Sequence, residues 1–137
     1  MGSNERPLWG GRVRAPLTPS AAALSSSTAI DGPLAAHDVA ASRVHVAELH
    51  RLALLTDDGR SHLDDALADI ARQLEDGTFA WDESREDVHM NVEAAVRDAV
   101  GPELAGQLQA GRSRNDEIVT DERLWLLDAI RRLDALL

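Results

Sequence analysis

Residues 56–77, TDDGRSHLDDALADIARQLEDG, decide the reading of the fold. Leu63, Leu67, Ile70, Ala71 and Leu74 recur at steps that place them on one face of a helix. Thr56 stands in the N-cap position, and Asp57 and Asp58 follow in the first turn, where carboxylates are favoured by the helix dipole. Gly77 marks the end of the helix. The stretch carries a start, an apolar face and a stop, so it reads as a helix packed against a core.

Working upstream, residues 34–54 repeat the pattern with Val39, Val46, Leu49 and Ala53 on one face. Pro33 marks the restart before this helix. A short helix is expected over 18–26, with Thr18 as N-cap and Pro19 in its first turn. Ser25-Ser26-Ser27-Thr28 breaks it. Residues 1–17, with Gly10-Gly11, Pro7 and Pro16, read as an extended arm whose Trp9 packs on a neighbouring element or subunit.

Working downstream, Phe79 and Trp81 fall in a loop. Ser84 precedes Asp87 by three residues, a capping-box-like start for a helix across 86–99. Gly101-Pro102 breaks that helix, a short helix covers 103–109, and Gly111 opens a polar turn. The last helix is expected from about Asp116 to the end. Its Ile118, Val119, Leu124, Trp125, Leu126, Leu127, Ile130, Leu133, Leu136 and Leu137 form no narrow stripe, so it calls for burial on more than one side. The fold class is all-α.

Composition agrees with helices. The 137 residues are 44% apolar but only 3% aromatic, so Ala and Leu must supply the packing. The formal net charge of −10 disfavours nucleic acid and an anionic membrane surface as partners. No apolar run reaches the roughly 20 residues of a membrane helix. The polar N-terminus lacks a signal-peptide core. The absence of cysteine removes disulfides and thiol chemistry and suits a reducing compartment, so a cytoplasmic location is expected.

The most informative chemistry lies in Gly111-Arg112-Ser113-Arg114-Asn115-Asp116. Two guanidinium groups, a hydroxyl and an amide meet at the start of a helix, and Arg binds carboxylates bidentately. Helix N-termini add backbone donors and a favourable dipole. The alternative is an ordinary polar helix start, with Asn115 or Ser113 as cap and the arginines paired to nearby acids. Glu86-Asp87-Val88-His89 could orient an imidazole for acid–base work, or simply cap a helix. The hydroxyls of Ser25–Thr28, before Asp31, could hold a carboxylate or cap. His37, His45, His50, His62 and His89 form no i,i+4 pair and there is no Cys, so no metal site is expected.

Taken in order, these segments resemble argininosuccinate lyase, a family of the fumarase/aspartase superfamily. Leu8-Trp9-Gly10-Gly11-Arg12 is similar to the family's opening motif. His37-Asp38-Val39-Ala40-Ala41-Ser42-Arg43 resembles its first long helix. Leu54-Leu55-Thr56, Gly77-Thr78-Phe79 and Glu86-Asp87-Val88-His89 follow in family order. The turn at 111–116 matches in full, and Thr120-Asp121 and Arg123-Leu124-Trp125 continue it. Val13 replaces the usual Phe, and Gln109-Ala110 stands where the family has His-Thr, beside the binding turn.

The resemblance implies the N-terminal helical domain of that superfamily plus the start of its central helical bundle. The expected parts are an arm over 1–17, a helical domain over 18–112, and over 113–137 the binding turn with the truncated first helix of the bundle. It implies elimination of argininosuccinate to arginine and fumarate, in arginine biosynthesis, without cofactor. It makes Ser27, Arg114 and Asn115 substrate ligands, with Arg112, Ser113 and Asp87 supporting them. The family's catalytic serine and its Gly-Tyr-Thr-His acid lie downstream, so no catalytic residue is expected in this chain. Full-length members are homotetramers. Two other readings stay open: a non-catalytic helical module that self-associates through 118–137, and one half of a split lyase.

Overall fold

The computed structural model describes residues 18–137, and residues 1–17, expected as an extended arm with Trp9 and Val13, lie outside them. The described residues contain helices and no strand. They are α1 (Pro19–Ser25), α2 (Thr28–Asp31), a 3-10 turn (Gly32–Leu34), α3 (Ala35–Arg51), α4 (Asp57–Glu75), α5 (Val88–Val100), α6 (Pro102–Leu108) and α7 (Arg114–Asp134). The all-α expectation holds. No helix among the described residues is long and apolar enough to cross a membrane.

The local signals explain most boundaries. Thr18 caps α1, with its Oγ1 accepting from the Ala21 N–H at 3.3 Å, and Thr56 caps α4 through the Gly59 N–H at 3.1 Å. Gly59 is buried, and a Cβ there would sit 3.2 Å from Leu104 Cδ1, so its bareness lets α6 lie close to α4. Gly77 adopts φ 67 and closes α4, its N–H donating to Leu74 O at 3.3 Å while Thr78 N–H donates to Gln73 O at 2.8 Å. This paired closure satisfies two orphan carbonyls.

Three expectations need correction. The upstream helix stops at Arg51 rather than 54, and Ala53 is exposed instead of lying on the core face. The cause is a closure like that of α4, with Ala53 N–H on His50 O at 2.9 Å and Leu54 N–H on Leu49 O at 2.9 Å. Here the left-handed residue, at φ 57, is an alanine. The helix expected over 86–99 starts at Val88, capped by Asp87 rather than opened at Ser84. Ser84 is spent locally, its N–H and Oγ both donating to Asp82 Oδ1 at 2.9 and 2.6 Å. The last helix begins at Arg114, two residues early, because Ser113 is its cap.

The core joins α3, α4, α5 and α6. Val39, Val46, Leu49, Leu63, Leu67, Ile70, Val92, Val96 and Leu108 form one buried cluster, closed by Leu55 and Phe79. Phe79 meets Trp81 edge-on at 4.7 Å between ring centroids. At about 1.5–3 kcal/mol per buried aliphatic side chain, this cluster is the main favourable contribution to the fold. Helix α7 packs along α3, but its buried residues are Glu117 and Asp121.

Candidate functional site

Gly111 turns the chain at φ 73 and so aims the polar turn back toward α3. Ser113 then caps α7, its Oγ accepting from the Asp116 N–H at 3.3 Å and donating to Asp116 Oδ2 at 2.8 Å. The two arginines on either side of Ser113 meet one buried carboxylate. Arg112 Nη2 lies 2.8 Å from Glu117 Oε1, and Arg114 Nη1 lies 2.7 Å from Glu117 Oε2.

Each guanidinium then reaches a different wall. Arg112 donates to Ser42 Oγ on α3 at 3.0 Å and approaches Asp38 Oδ1 at 3.7 Å. Arg114 reaches α5, with Glu93 Oε2 at 3.2 Å and Asp87 Oδ2 at 3.7 Å. Burial disfavours the Arg114 charge, but Asp87, Glu117 and Glu93 outweigh it and hold its pKa above the ordinary value. Arg112 has a side chain only 10% exposed, against 32% for Arg114, so Arg114 is the more accessible cation. His45 lies at the rear of the turn. Its Nε2 donates to Ala110 O at 3.1 Å, and burial and the Arg112 charge hold its pKa below the ordinary value.

Ser27 docks on the loop before α5, 59 residues from Glu86 in sequence. Its N–H donates to Glu86 O at 2.7 Å, and its Oγ donates to Asp31 Oδ2 at 2.6 Å and lies 3.3 Å from Glu86 O. The adjacent Thr28 Oγ1 donates to Arg85 O at 3.0 Å. Asp87 caps α5 with Oδ1, accepting from the Met90 N–H at 2.6 Å, and turns Oδ2 toward Arg114. The fold therefore links Arg112 and Arg114 through Glu117 and Arg114 to Asp87, and ties Ser27 to the carbonyl of Glu86, the residue before Asp87. Asn115 and Ser113 stand exposed at the rim.

Behind the arginines lies a polar cluster that sequence reading did not assemble. Asp38 on α3, His89 on α5 and Asp121 on α7 are all buried, with Asp121 at 0% exposure. His89 Nδ1 is 3.6 Å from Asp38 Oδ1 and 3.6 Å from Asp121 Oδ2. These separations are too long for hydrogen bonds, and His89 Nδ1 and both Asp121 carboxylate oxygens are buried without a partner. Burial, then the Asp38 charge, push the Asp121 carboxyl up to about 7. Burial pushes His89 down, but Asp38 outweighs it and the net direction is up.

A signal for this cluster was present. Asp38 and Ser42 occupy core-facing positions on the same helix as Val39, Val46 and Leu49, and polar residues there demand a partner. Glu117 and Asp121 are likewise one turn apart on a single face of α7. A mixed His/Asp set drawn from three helices leaves no paired-histidine spacing in the sequence.

Residues 11–137 match the protein-family model described as Lyase. The chain is 46% identical over 134 residues to the argininosuccinate lyase of Rhodococcus jostii (strain RHA1), covering 98% of this chain and 28% of that protein. Against the argininosuccinate lyase of Mycolicibacterium gilvum (strain PYR-GCK) it is 47% identical over 133 residues, 97% of this chain and 28% of the relative. The argininosuccinate lyase of Mycobacterium leprae (strain TN) is 44% identical over 135 residues, 98% and 29% respectively. The chain thus spans less than a third of the length of these relatives.

Proposed function

Because the chain belongs to the Lyase family, we propose that it forms the N-terminal, substrate-gripping part of an argininosuccinate lyase. The reaction is elimination of argininosuccinate to arginine and fumarate, in arginine biosynthesis. One observation carries this reading: Arg114, partly open to solvent, stands at the start of α7 against Asp87, whose chain neighbour Glu86 is bonded to Ser27. In this reading Ser27, Arg114 and Asn115 contact the substrate carboxylates, and Arg112, Ser113 and Asp87 hold the turn in shape. Developing carboxylate charge in such an elimination is stabilised by oriented guanidinium and amide donors.

The electrostatics support a shared site. Four carboxylates, Asp38, Asp87, Glu93 and Glu117, already surround the two guanidinium groups. A substrate whose succinyl group carries two carboxylates needs cations or donors beyond Arg112 and Arg114. Family active sites draw on several subunits of a tetramer, and residues 113–137 in this reading begin the bundle that builds it. The family's catalytic serine and its Gly-Tyr-Thr-His segment are not among these 137 residues.

The test follows fumarate by ultraviolet absorbance. The 137-residue chain alone gives no turnover above background, whereas co-expression with a polypeptide supplying the serine and histidine segments gives activity. In that complex Arg114→Ala lowers kcat/KM at least about a hundredfold, the scale of a lost transition-state donor. Fumarate from the lone chain, or an Arg114→Ala complex as active as its parent, would overturn the reading.

A second reading, self-association without catalysis, is favoured by the exposed apolar half of α7, where Trp125, Leu126, Leu127, Ile130 and Leu133 face solvent. Gel filtration with light scattering tests it. A monomer that binds no hydrophobic dye counts against it.

A further inference from the structure

The buried Asp38–His89–Asp121 cluster has the geometry of a ligand set rather than of a settled ion pair. Three helices deliver it, one residue each. The candidate donor atoms lie within 4.8 Å of one another. Three of the atoms that face inward, His89 Nδ1, Asp121 Oδ1 and Asp121 Oδ2, have no hydrogen-bond partner although they are shut off from water. Leaving such groups unpaired costs about 1–3 kcal/mol each, and more when charged, so a bare cluster is a poor resting state.

We propose that Asp38, His89 and Asp121 bind a single first-row divalent cation of the zinc class, which ties α3, α5 and α7 together. Donors about 2.1 Å from a tetrahedral ion stand about 3.4 Å apart. The two His89 edges of the cluster, each 3.6 Å, need to shorten by only a few tenths of an ångström. Asp121 has a second free oxygen to complete the coordination. One imidazole with two carboxylates is a mixed nitrogen and oxygen set, which suits zinc better than calcium or magnesium.

Charge balance points the same way. Among the described residues Arg112 is the guanidinium in contact with the cluster, and its closest partners are Glu117 at 2.8 Å and Ser42 at 3.0 Å; Asp38 stands further off at 3.7 Å. Arg112 is thus matched mainly by Glu117, and the acidic groups of Asp38 and Asp121 face a single histidine. A divalent cation holds both as carboxylates. The inference concerns the folding of these helices and does not rest on the lyase reading.

The experiment titrates the chelator-treated chain with Zn²⁺ alone. One ion binds per chain and raises the thermal midpoint, because the ion binds the folded state. Asp121→Asn weakens binding at least about tenfold and abolishes the midpoint shift. His62→Gln, at an exposed histidine beside Asp58, leaves both unchanged and controls for surface binding. As a readout on the unmodified chain, Zn²⁺ shifts the nitrogen resonances of one histidine ring, and that ring is His89. No midpoint shift, undiminished binding by Asp121→Asn, or resonance shifts confined to His50 or His62 would overturn the proposal.

Discussion

Helices α4 and α7 are almost equal in length, 19 and 21 residues, and are built in opposite senses. Helix α4 buries Leu63, Ala66, Leu67 and Ile70 and shows its acids to water. Helix α7 buries Glu117 and Asp121 and shows Trp125, Leu126, Leu127, Ile130 and Leu133. The first is held by transfer of hydrocarbon out of water, which needs no particular partner geometry. The second is seated on this body chiefly by Glu117, held between Arg112 and Arg114 at its N-terminal end, and such pairs demand specific partners at specific distances. A helix whose apolar residues outnumber its buried ones has a second surface to satisfy.

The largest effect should separate these two modes. Arg112→Ala removes one of the two guanidinium partners of Glu117 and the cation beside buried Asp38, and is expected to cost about 3–5 kcal/mol, the usual result of breaking a buried pair from one side. Urea denaturation followed by far-ultraviolet circular dichroism reads it. A loss under about 1 kcal/mol would mean that α7 is not seated by its charges. Leu67→Ala in α4 is expected to cost about 2–4 kcal/mol through lost burial and a residual cavity. The same titration measures it, with an unchanged dependence on urea concentration if only stability moves.

A smaller effect lies just ahead of α4. Ala53 does with φ 57 what Gly77 does with φ 67 at the other end. Ala53→Gly should therefore raise stability by about 1 kcal/mol, seen as a higher denaturation midpoint, by removing the clash an L side chain meets there. No gain would show that the loop relaxes around the alanine. The smallest expected change in monomer stability comes from the double variant Leu126→Gln with Ile130→Gln, within about 0.5 kcal/mol because both side chains face water. Its diagnostic readout is sedimentation: any self-association of the parent should fall away.

The contrast also explains what the sequence disclosed. The α4 stripe, its Thr56 cap and its Gly77 stop are local facts within 22 residues, and all appear in the structure. The α5 cap was misplaced because Ser84 and Asp87 both suit a capping position, and only the competing Asp82 decides between them. Ala53 fits the apolar period yet leaves the core face, because periodicity does not record where a helix closes through a left-handed residue. For the candidate site, the 111–116 turn was visible as a cluster of donors. Its partners were not, since Asp38, Glu93 and Asp121 approach from three helices and no spacing rule connects them. Cationic residues adjacent in sequence are easy to see, whereas the anions that answer them are brought together only by folding.

The attachment of Ser27 and Thr28 to the carbonyls of Glu86 and Arg85 has a kinetic corollary. The segment at 26–31 and the loop at 82–87 share these bonds, so neither can swing out while they persist. Their amide protons should exchange with solvent as one cooperative opening, with matching protection, although the chain separates them by more than 50 residues. A hydroxyl and a carboxylate delivered by distant stretches thus arrive and depart on one clock.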